Sequence, residues 1–396
     1  MRAESVAWER AAEVGEAAEG WRRAGAIDEA TERAIRRIYP DPCVTPSIVW
    51  RVLMACVVAV VIVCAFGAFE VAFRPNKEGH QVLLFFFGAA ALGAAEALEA
   101  SPRFSRRGLA GATSFLGIVS LLIGFAFFVL ETVNMRFEDG LDRLLIAGVI
   151  AWGAGSWRWG SPIFAALSAV SFFLFTGRMT HGRLLWILAG AALAALASRR
   201  LDESTWAPSH RRSAAVLVMA GLAAVYAAVN IYSLDKHLVE DLGRWTWTRE
   251  MPSRGLLLLS ALATAIMPPA VLAWGFLSRR VFLIDTGIVL AALSLVTVRH
   301  YVHWAPVWAV LTLSGAALVV LAIAVERRLR RAPGSEIAGF TADPFFSDER
   351  RRRAMEIFPV AATFTSAPGQ TPGQTIDDKG IGGGGRFGGG GAGEKF

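Results

Sequence analysis

Cysteine is scarce in this chain, and its three residues form no recognisable set. Cys43, Cys56 and Cys64 are an odd number among 396 residues, and the last two lie inside one apolar block. This spacing excludes a framework of disulfides and a cysteine-ligated metal knuckle. Free cysteine behaves as a small apolar residue, and that is the role expected here.

Charge and catalytic motifs are also sparse. Charged residues make up 18% of the chain, where soluble domains have about a quarter. The sequence has no glycine loop followed by lysine, no helical pair of histidines flanking a glutamate, and no Gly-x-Ser-x-Gly elbow. The N-terminal stretch MRAESVAWERAAEVGEAAEG has no apolar signal-peptide core, so the first apolar block is expected to direct insertion. We therefore expect neither an enzyme nor a cofactor.

Apolar residues, by contrast, make up 54% of the chain and occur in long blocks. A helix needs about 20 residues to cross about 30 Å of hydrocarbon. The blocks predict an all-α, polytopic transmembrane helix bundle of about ten spans. These are 50–71, 81–99, 108–130, 143–158, 161–177, 182–198, 213–232, 255–278, 281–299 and 304–325. The blocks within 143–198 are short, and two spans with a re-entrant piece are the alternative there. Small residues four apart, Ala89 with Gly93 and Gly190 with Ala194, predict helices that pack backbone to backbone.

The flanking charges predict an orientation. Arginines concentrate on the side of the membrane that holds the N-terminus, for example at Arg199 and Arg200, and the bias favours both termini in the cytoplasm. The net charge of +7 is explained by these flanks, so nucleic-acid binding is not expected.

The two ends of the chain are predicted to differ in structure from the transmembrane bundle of residues 50–325. Residues 1–40 predict a cytoplasmic helical hairpin, with Asp28 as N-cap of its second helix. It is too small for a strong core, so we expect it to lean on the membrane, another chain or the tail. Residues 326–362 are a basic juxtamembrane segment with a short helix whose arginines suit anionic headgroups. Residues 363–396 are rich in glycine and predict disorder.

Four polar residues within or beside the spans are candidate site residues: Arg51, Glu96, Glu99 and Asp285. A charge at the centre of a span costs about 2.5–3.5 kcal/mol on insertion. The predicted topology places all four near the cytoplasmic rim. They can pair structurally, with Arg51 against Glu96 or Glu99 as the specific hypothesis, or they can form a cytoplasm-facing site.

Two further features of the sequence are candidates for a functional role. His300 and His303 follow the ninth span among aromatic residues. An interfacial aromatic belt explains them, and a metal or quinone pocket is the alternative. Pro268 and Pro269 lie in the middle of the eighth span and predict a kink, which is either static or a transport hinge.

Two stretches resemble known proteins. The stretch WRRAGAIDEATERAIRRIYPD resembles the N-terminal hairpin of an uncharacterised bacterial family of multi-span membrane proteins. The final GGGGRFGGGGAGEKF resembles the Gly/Phe-rich tails of envelope proteins associated with LemA-type and TPM-domain proteins. These resemblances imply a bacterial inner-membrane protein in an envelope assembly, and they carry no catalytic residue onto this chain.

The sequence is compatible with two main functions. The first is a non-enzymatic scaffold that binds protein partners through residues 1–40 and the tail, and whose basic flanks contact anionic lipid. The second is a secondary transporter or channel that uses Glu96, Glu99, Asp285 and the Pro-kinked span. Carboxylates along a polar cavity would favour transport, whereas carboxylates paired at the rim of an alanine-packed bundle would favour the scaffold. A lipid-modifying enzyme is a third class.

Overall fold

The computed structural model describes most of the chain up to residue 301. The described ranges are 3–23, 26–40, 48–100, 109–133, 135–179, 181–201, 206–231 and 254–301, with isolated positions in 312–341 and residues 391–392. Within them lie eleven α-helices: α1 Ala3–Arg23, α2 Glu29–Ile38, α3 Ile48–Phe73, α4 Lys77–Glu99, α5 Leu109–Phe127, α6 Phe137–Trp159, α7 Pro162–Gly177, α8 Gly182–Leu201, α9 Pro208–Val229, α10 Arg254–Leu277 and α11 Val281–Tyr301. A π-helical turn, Phe128–Thr132, extends α5.

Seven of the described helices are long and apolar enough to cross a membrane. They are α3, α4, α5 with its π-turn, α8, α9, α10 and α11. The prediction of a membrane helix bundle is confirmed at this level. α7 is apolar but has only 16 residues, and α6 has 23 residues that include acidic residues in its first turn. In the predicted span 304–325 the structure describes only isolated helical positions, from Thr312 to Ala324.

The first two helices form a hairpin in which Asp28 caps α2, as predicted. The Thr31 backbone N–H donates to Asp28 Oδ1 at 2.8 Å. Hydrogen bonds from Thr31, from its side chain first and then from its backbone, hold the pKa of Asp28 below its ordinary value. The carboxylate therefore stays charged where it faces the positive end of the helix dipole.

The chain divides into two compact units, Met1–Met267 and Pro268–Phe396. In the first unit, polar contacts mark two ends of the helices. At one, which we call the hairpin end, Arg158 of α6 pairs with Glu96 of α4. At the other, the opposite end, Asp142 of α6 pairs with Arg178, which follows α7. Sixteen residues separate Asp142 from Arg158, or about 24 Å of helix.

The region 143–198 lies in three helices, of which α8 is long and apolar enough to cross a membrane. The choice between three spans and two spans with a re-entrant piece stays a prediction. α6 runs from the opposite end to the hairpin end, and α7 returns. α8 begins at the opposite end, where Arg183 reaches the last turn of α9 at Ala228. α6 begins at Phe137, earlier than the predicted residue 143, because its first turn is acidic and the apolar pattern starts later.

Glycines set the closest helix approaches in the first unit. A Cβ built on Gly221 of α9 would lie 2.5 Å from the Gly190 carbonyl oxygen of α8. Ala194, one turn further along α8, lies against the same glycine, which confirms the predicted small-residue pair Gly190 and Ala194. The predicted pair Ala89 and Gly93 is wrong, since a Cβ on Gly93 would meet nothing within 4 Å. The neighbouring Gly88 packs on Gly117 instead.

Aromatic rings fill the space between α5, α6 and α7. Ile118, Trp152 and Phe164 are buried together. Phe115 lies 5.4 Å from Trp152 and 6.3 Å from Phe164 between ring centroids. The cluster holds α6 and α7, which are not among the seven helices long and apolar enough to cross a membrane, against α5.

In the second unit, the end of α10 packs against α11. A Cβ on Gly275 would lie 2.8 Å from the Ile284 backbone nitrogen, and one on Gly287 would lie 2.6 Å from the Leu272 side chain. Both glycines are buried at this crossing. Three two-residue strands, Glu336–Ile337, Phe340–Thr341 and Gly391–Ala392, pair antiparallel. Other residues of the predicted juxtamembrane segment and disordered tail lie outside the described part of the chain.

The α8–α9 contact generates a prediction. Gly221→Val should lower the free energy of unfolding by about 1–3 kcal/mol, because the new side chain meets backbone atoms that cannot move aside. Unfolding by sodium dodecyl sulfate in mixed micelles measures it. Gly93→Val is the matched control and should change stability little, since that site is open. Equal losses at the two positions would contradict the packing described.

Candidate functional site

The N-terminus of α9 is capped by a residue nearly 200 positions away. Its own N-cap is Ala207, which has no side-chain acceptor, and Pro208 follows. The Glu9 carboxylate of α1 fills this role by accepting from the Ser209 backbone N–H at 3.2 Å. One turn along α1, Glu13 pairs with Arg211 at 2.7 Å. The N-terminal hairpin thus leans on the helix bundle.

An aromatic and cationic cluster surrounds this cap. The His210 ring stacks on Trp157 of α6, with centroids 5.9 Å apart, and lies 5.7 Å from Trp206. The Arg200 guanidinium carbon lies 5.0 Å from the Trp206 ring centroid. A cation over an aromatic face is attracted by the ring quadrupole. Three helices, α6, α8 and α9, are therefore joined where the hairpin docks.

The C-terminus of α9 is met by a positive charge. No basic residue lies in its last turn, but Arg183 of α8 donates from Nε to the Ala228 carbonyl at 2.6 Å. Ser260 Oγ of α10 donates to the Val229 carbonyl. Arg183 Nη2 lies 3.4 Å from Ser260 Oγ, and its buried Nη1 has no hydrogen-bond partner among the described residues. The guanidinium lies where the helix dipole is negative and the last carbonyls need donors.

The backbone beyond α9 is also satisfied by α10. The Ile231 backbone N–H donates to Thr264 Oγ1 at 3.0 Å, while Thr264 Oγ1 donates to the Ser260 carbonyl at 2.8 Å. Ser260 and Thr264 are both buried. Hydroxyl groups thus supply the donors and acceptors that water would supply in a soluble protein.

Two ion pairs join other helices at the two ends. Glu96 pairs with Arg158 at the hairpin end, each about one-third exposed. At the opposite end, Arg178 pairs with Asp142 and donates to the Glu138 carbonyl at 3.1 Å. Glu96 was a predicted site residue, and its partner on α6 was not predicted. Both pairs lie at helix ends, where a charge costs less than at a span centre.

A histidine closes the turn from α3 to α4. His80 Nδ1 lies 2.8 Å from the Asn76 carbonyl oxygen, and Nε2 lies 2.9 Å from Glu70 Oε2. Because a carbonyl only accepts, Nδ1 carries a proton. The contact between Nε2 and the Glu70 carboxyl group joins the two helices.

The remaining predicted polar residues are not brought into one described site. Glu99 is buried, with 7% of its surface exposed. Asp285 is exposed on α11. The Arg51 side chain lies outside the described part of the structure, so its pairing with Glu96 or Glu99 stays a prediction.

The predicted helix-breaking prolines lie within an unbroken helix. α10 continues from Arg254 to Leu277 across Pro268, which is fully buried, and Pro269, which is exposed. Pro268 cannot donate to the carbonyl four residues earlier, at Thr264. The size of a kink there stays a prediction.

The histidine pair of the sequence analysis falls at the boundary of the described chain. His300 belongs to α11, but its side chain is outside the described set, and so is all of His303. Among the residues that the structure describes, no group of three or more His, Cys, Asp or Glu side chains could hold a metal ion.

Comparisons with protein-family models, with curated proteins and with solved structures found no match to this chain. The resemblances of the N-terminal hairpin and of the glycine-rich tail therefore stay predictions.

Sequence reasoning missed the contacts that hold this site together. Arg158, Arg183 and Glu9 were not singled out, because their partners are distant in sequence. One signal was available: Ala207 and Pro208 open a helix without a side-chain acceptor, so another residue must supply one. The described contacts tie helix ends together and position no nucleophile beside a base.

The Glu96–Arg158 pair is testable by a double-mutant cycle. Glu96→Ala and Arg158→Ala should be non-additive, with a coupling of about 0.5–3 kcal/mol in the free energy of unfolding, because each removes the same contact. A second cycle that combines Glu96→Ala with Arg178→Ala is the control and should be additive within about 0.5 kcal/mol. Additivity in the first cycle would show that the pair does not stabilise the bundle.

Proposed function

We propose that this chain is a non-enzymatic scaffold of the bacterial inner membrane that binds a protein partner through its N-terminal hairpin. In this proposal the chain crosses the membrane ten times, both termini are cytoplasmic, and the hairpin end faces the cytoplasm. The partner contacts an apolar face of α2.

The exposed apolar face of α2 is the observation that carries the proposal. Ile38 and Tyr39 are 71% and 48% exposed, and Ala30 and Ala34 are exposed as well. The one buried residue of α2 is a charged residue, Glu32. A free-standing amphipathic hairpin would bury its apolar face, but in α2 the residue that is buried is Glu32, and Ala30, Ala34 and Ile38 stay exposed.

Ion pairs explain why the Glu32 side of α2, and not its apolar side, packs against α1. Arg22 Nε of α1 lies 2.5 Å from Glu32 Oε2. Arg36 bridges Glu32 at 2.8 Å and Glu19 of α1 at 3.3 Å. These contacts fix the polar side of α2 against α1. The apolar side is left for another molecule, and burying it would be favourable by about 25 cal/mol per Å².

The attachment of α1 supports a role in presentation. Glu9 and Glu13 bind α1 to the start of α9, so the hairpin is tied to the bundle. A surface that is held in place loses less conformational freedom on binding than a flexible one. The chain would therefore offer α2 as a preformed docking surface beside the membrane.

The ten crossings and the orientation rest on two arguments. The contacts at both ends of α6, α7, α8 and α9 are those of four successive antiparallel helices, including the two that composition alone leaves doubtful. The arginine-rich flanks favour a cytoplasmic hairpin end. The tenth crossing is the predicted span 304–325.

A transporter or channel is the second candidate, and Arg183 favours it. Ionisable groups inside a bundle often mark transport pathways, and the buried Arg183 Nη1 has no hydrogen-bond partner in the part of the chain that the structure describes. The other two guanidinium nitrogens, Nε and Nη2, bind the Ala228 carbonyl and the Ser260 hydroxyl at the end of α9. Glu96 is one of the carboxylates considered for transport. Its ion pair with Arg158 favours the scaffold instead, because carboxylates paired at the rim of the bundle were the pattern expected of a scaffold.

Photocrosslinking in native membranes tests the proposed function. A photoreactive amino acid at Ala34 of the full chain should give a discrete adduct with another protein. Ile38→Asp should remove that adduct, because it places a charge in the apolar contact. Gly20→Asp is the matched control, since it adds the same side chain at an exposed, open position of α1.

Retention of the adduct in the Gly20→Asp variant and its loss in Ile38→Asp would support the scaffold. Adducts with lipid alone would contradict a protein partner. Protein adducts that survive Ile38→Asp would also contradict it, because the apolar face would then be irrelevant.

A further inference from the structure

The helical positions between 312 and 331 change character abruptly along their length. The earlier described residues are apolar or small and exposed: Gly315, Ala316, Val319, Val320, Ile323 and Ala324. Val319 and Val320 are 55% and 66% exposed. Their spacing of four residues places them within one half of the helix surface, and an exposed apolar face of this kind is stable when it contacts an apolar medium.

Arginines begin directly after this apolar stretch. Arg327, Arg328 and Arg331 are exposed, and no ion pair is described for them. Arg330 differs, because its Nη2 lies 2.6 Å from Glu326 Oε1 on the same helix. Among the described residues, therefore, three guanidinium groups of this segment have no ion pair and one has an ion pair.

The three arginines without a described ion pair share an open groove with the apolar residues. Its described lining is Val320, Ile323, Ala324, Arg327, Arg328 and Arg331, and its volume is about 700 Å³. Ligand sites in proteins commonly have volumes of about 300–1,000 Å³. The groove is apolar at one end and cationic at the other.

The spacing along the helix matches the depth profile of a lipid leaflet. Val320 and Arg327 are separated by about 10 Å of helix, and Arg327 and Arg331 by about 6 Å. If the apolar stretch lies in hydrocarbon, the arginines reach the depth of the phosphates. Guanidinium groups bind phosphate oxygens through paired hydrogen bonds.

We propose that this groove binds one anionic phospholipid, with its phosphate held by Arg327, Arg328 and Arg331 and an acyl chain along Val320 and Ile323. Free phosphate would satisfy the arginines but would leave the apolar half uncovered. An acidic peptide would do the same. The site rests on the helix being the tenth crossing and is independent of the scaffold role of α2.

Lipid binding by the full-length chain tests the proposal. Delipidated protein in neutral detergent is titrated with phosphatidylglycerol or phosphatidylcholine, and the bound lipids are counted by native mass spectrometry. The wild-type chain should bind one phosphatidylglycerol markedly more tightly than the others. The paired variant Arg327→Ala and Arg331→Ala should weaken that first binding step tenfold or more, since each arginine near a phosphate contributes severalfold.

Arg330→Ala is the matched control, since it removes the same side chain from the same helix. It should change the first binding step less than twofold, because Arg330 is already neutralised by Glu326. All these residues are exposed, so the variants should keep the helical content and the unfolding midpoint of the wild-type chain.

Three results would overturn the site. The first is equal losses from Arg330→Ala and from the paired variant, which would mean a diffuse charge effect. The second is equal binding of phosphatidylcholine. The third is displacement of phosphatidylglycerol by millimolar inorganic phosphate, which would show that the arginines bind phosphate without the acyl chain.

Discussion

The two ends of α9 set the constraint on which the first unit depends. In a hydrocarbon environment the first N–H groups and last carbonyls of a helix have no water to bind. α9 opens on Ala207 and Pro208 and has no basic residue in its last turn, so it cannot satisfy either end by itself. Glu9 supplies an acceptor and a negative charge at the start. Arg183 supplies a donor and a positive charge at the end.

The contacts of Glu9 and Glu13 with α9 link the hairpin to the bundle, and further ion pairs of α1 determine which side of α2 packs against it. Glu9 and Glu13 turn one side of α1 toward α9, while Glu19 and Arg22 on the same helix bind the charged side of α2. Ion pairs therefore form both the contact of α1 with α9 and the contact of α1 with α2, and the apolar side of α2 takes part in neither. Ile38 remains exposed in this arrangement.

Much of the fold could be predicted from the sequence, because span length depends on hydrocarbon thickness alone. Nine of the ten predicted spans contain described helices, and in the tenth the structure describes isolated helical positions. The N-cap at Asp28 was predictable because its partner, Thr31, is three residues away. The contact of Gly190 and Ala194 with Gly221 was foreseeable in part, since small residues four apart form a flat helix face.

The rest could not be predicted, because it depends on how each helix is rotated. Helices that are apolar on every side carry little periodicity to define their inner face, and so Ala89 and Gly93 were chosen where Gly88 makes the contact. Glu96 has several arginines at the same membrane depth, and only the packing of α4 beside α6 selects Arg158. Glu9 and Ser209 are so far apart in sequence that no local pattern joins them.

Hydrogen exchange of the full chain in lipid nanodiscs tests the central claim most directly. If the Glu9 carboxylate caps α9, Glu9→Ala should speed exchange of the backbone amides in its first turn, from Ser209 to Arg212, by about fivefold to thirtyfold. Glu16→Ala, which removes an exposed carboxylate from the same α1 helix, should leave that turn unchanged. Unchanged exchange in Glu9→Ala, or equal acceleration in both variants, would contradict the account.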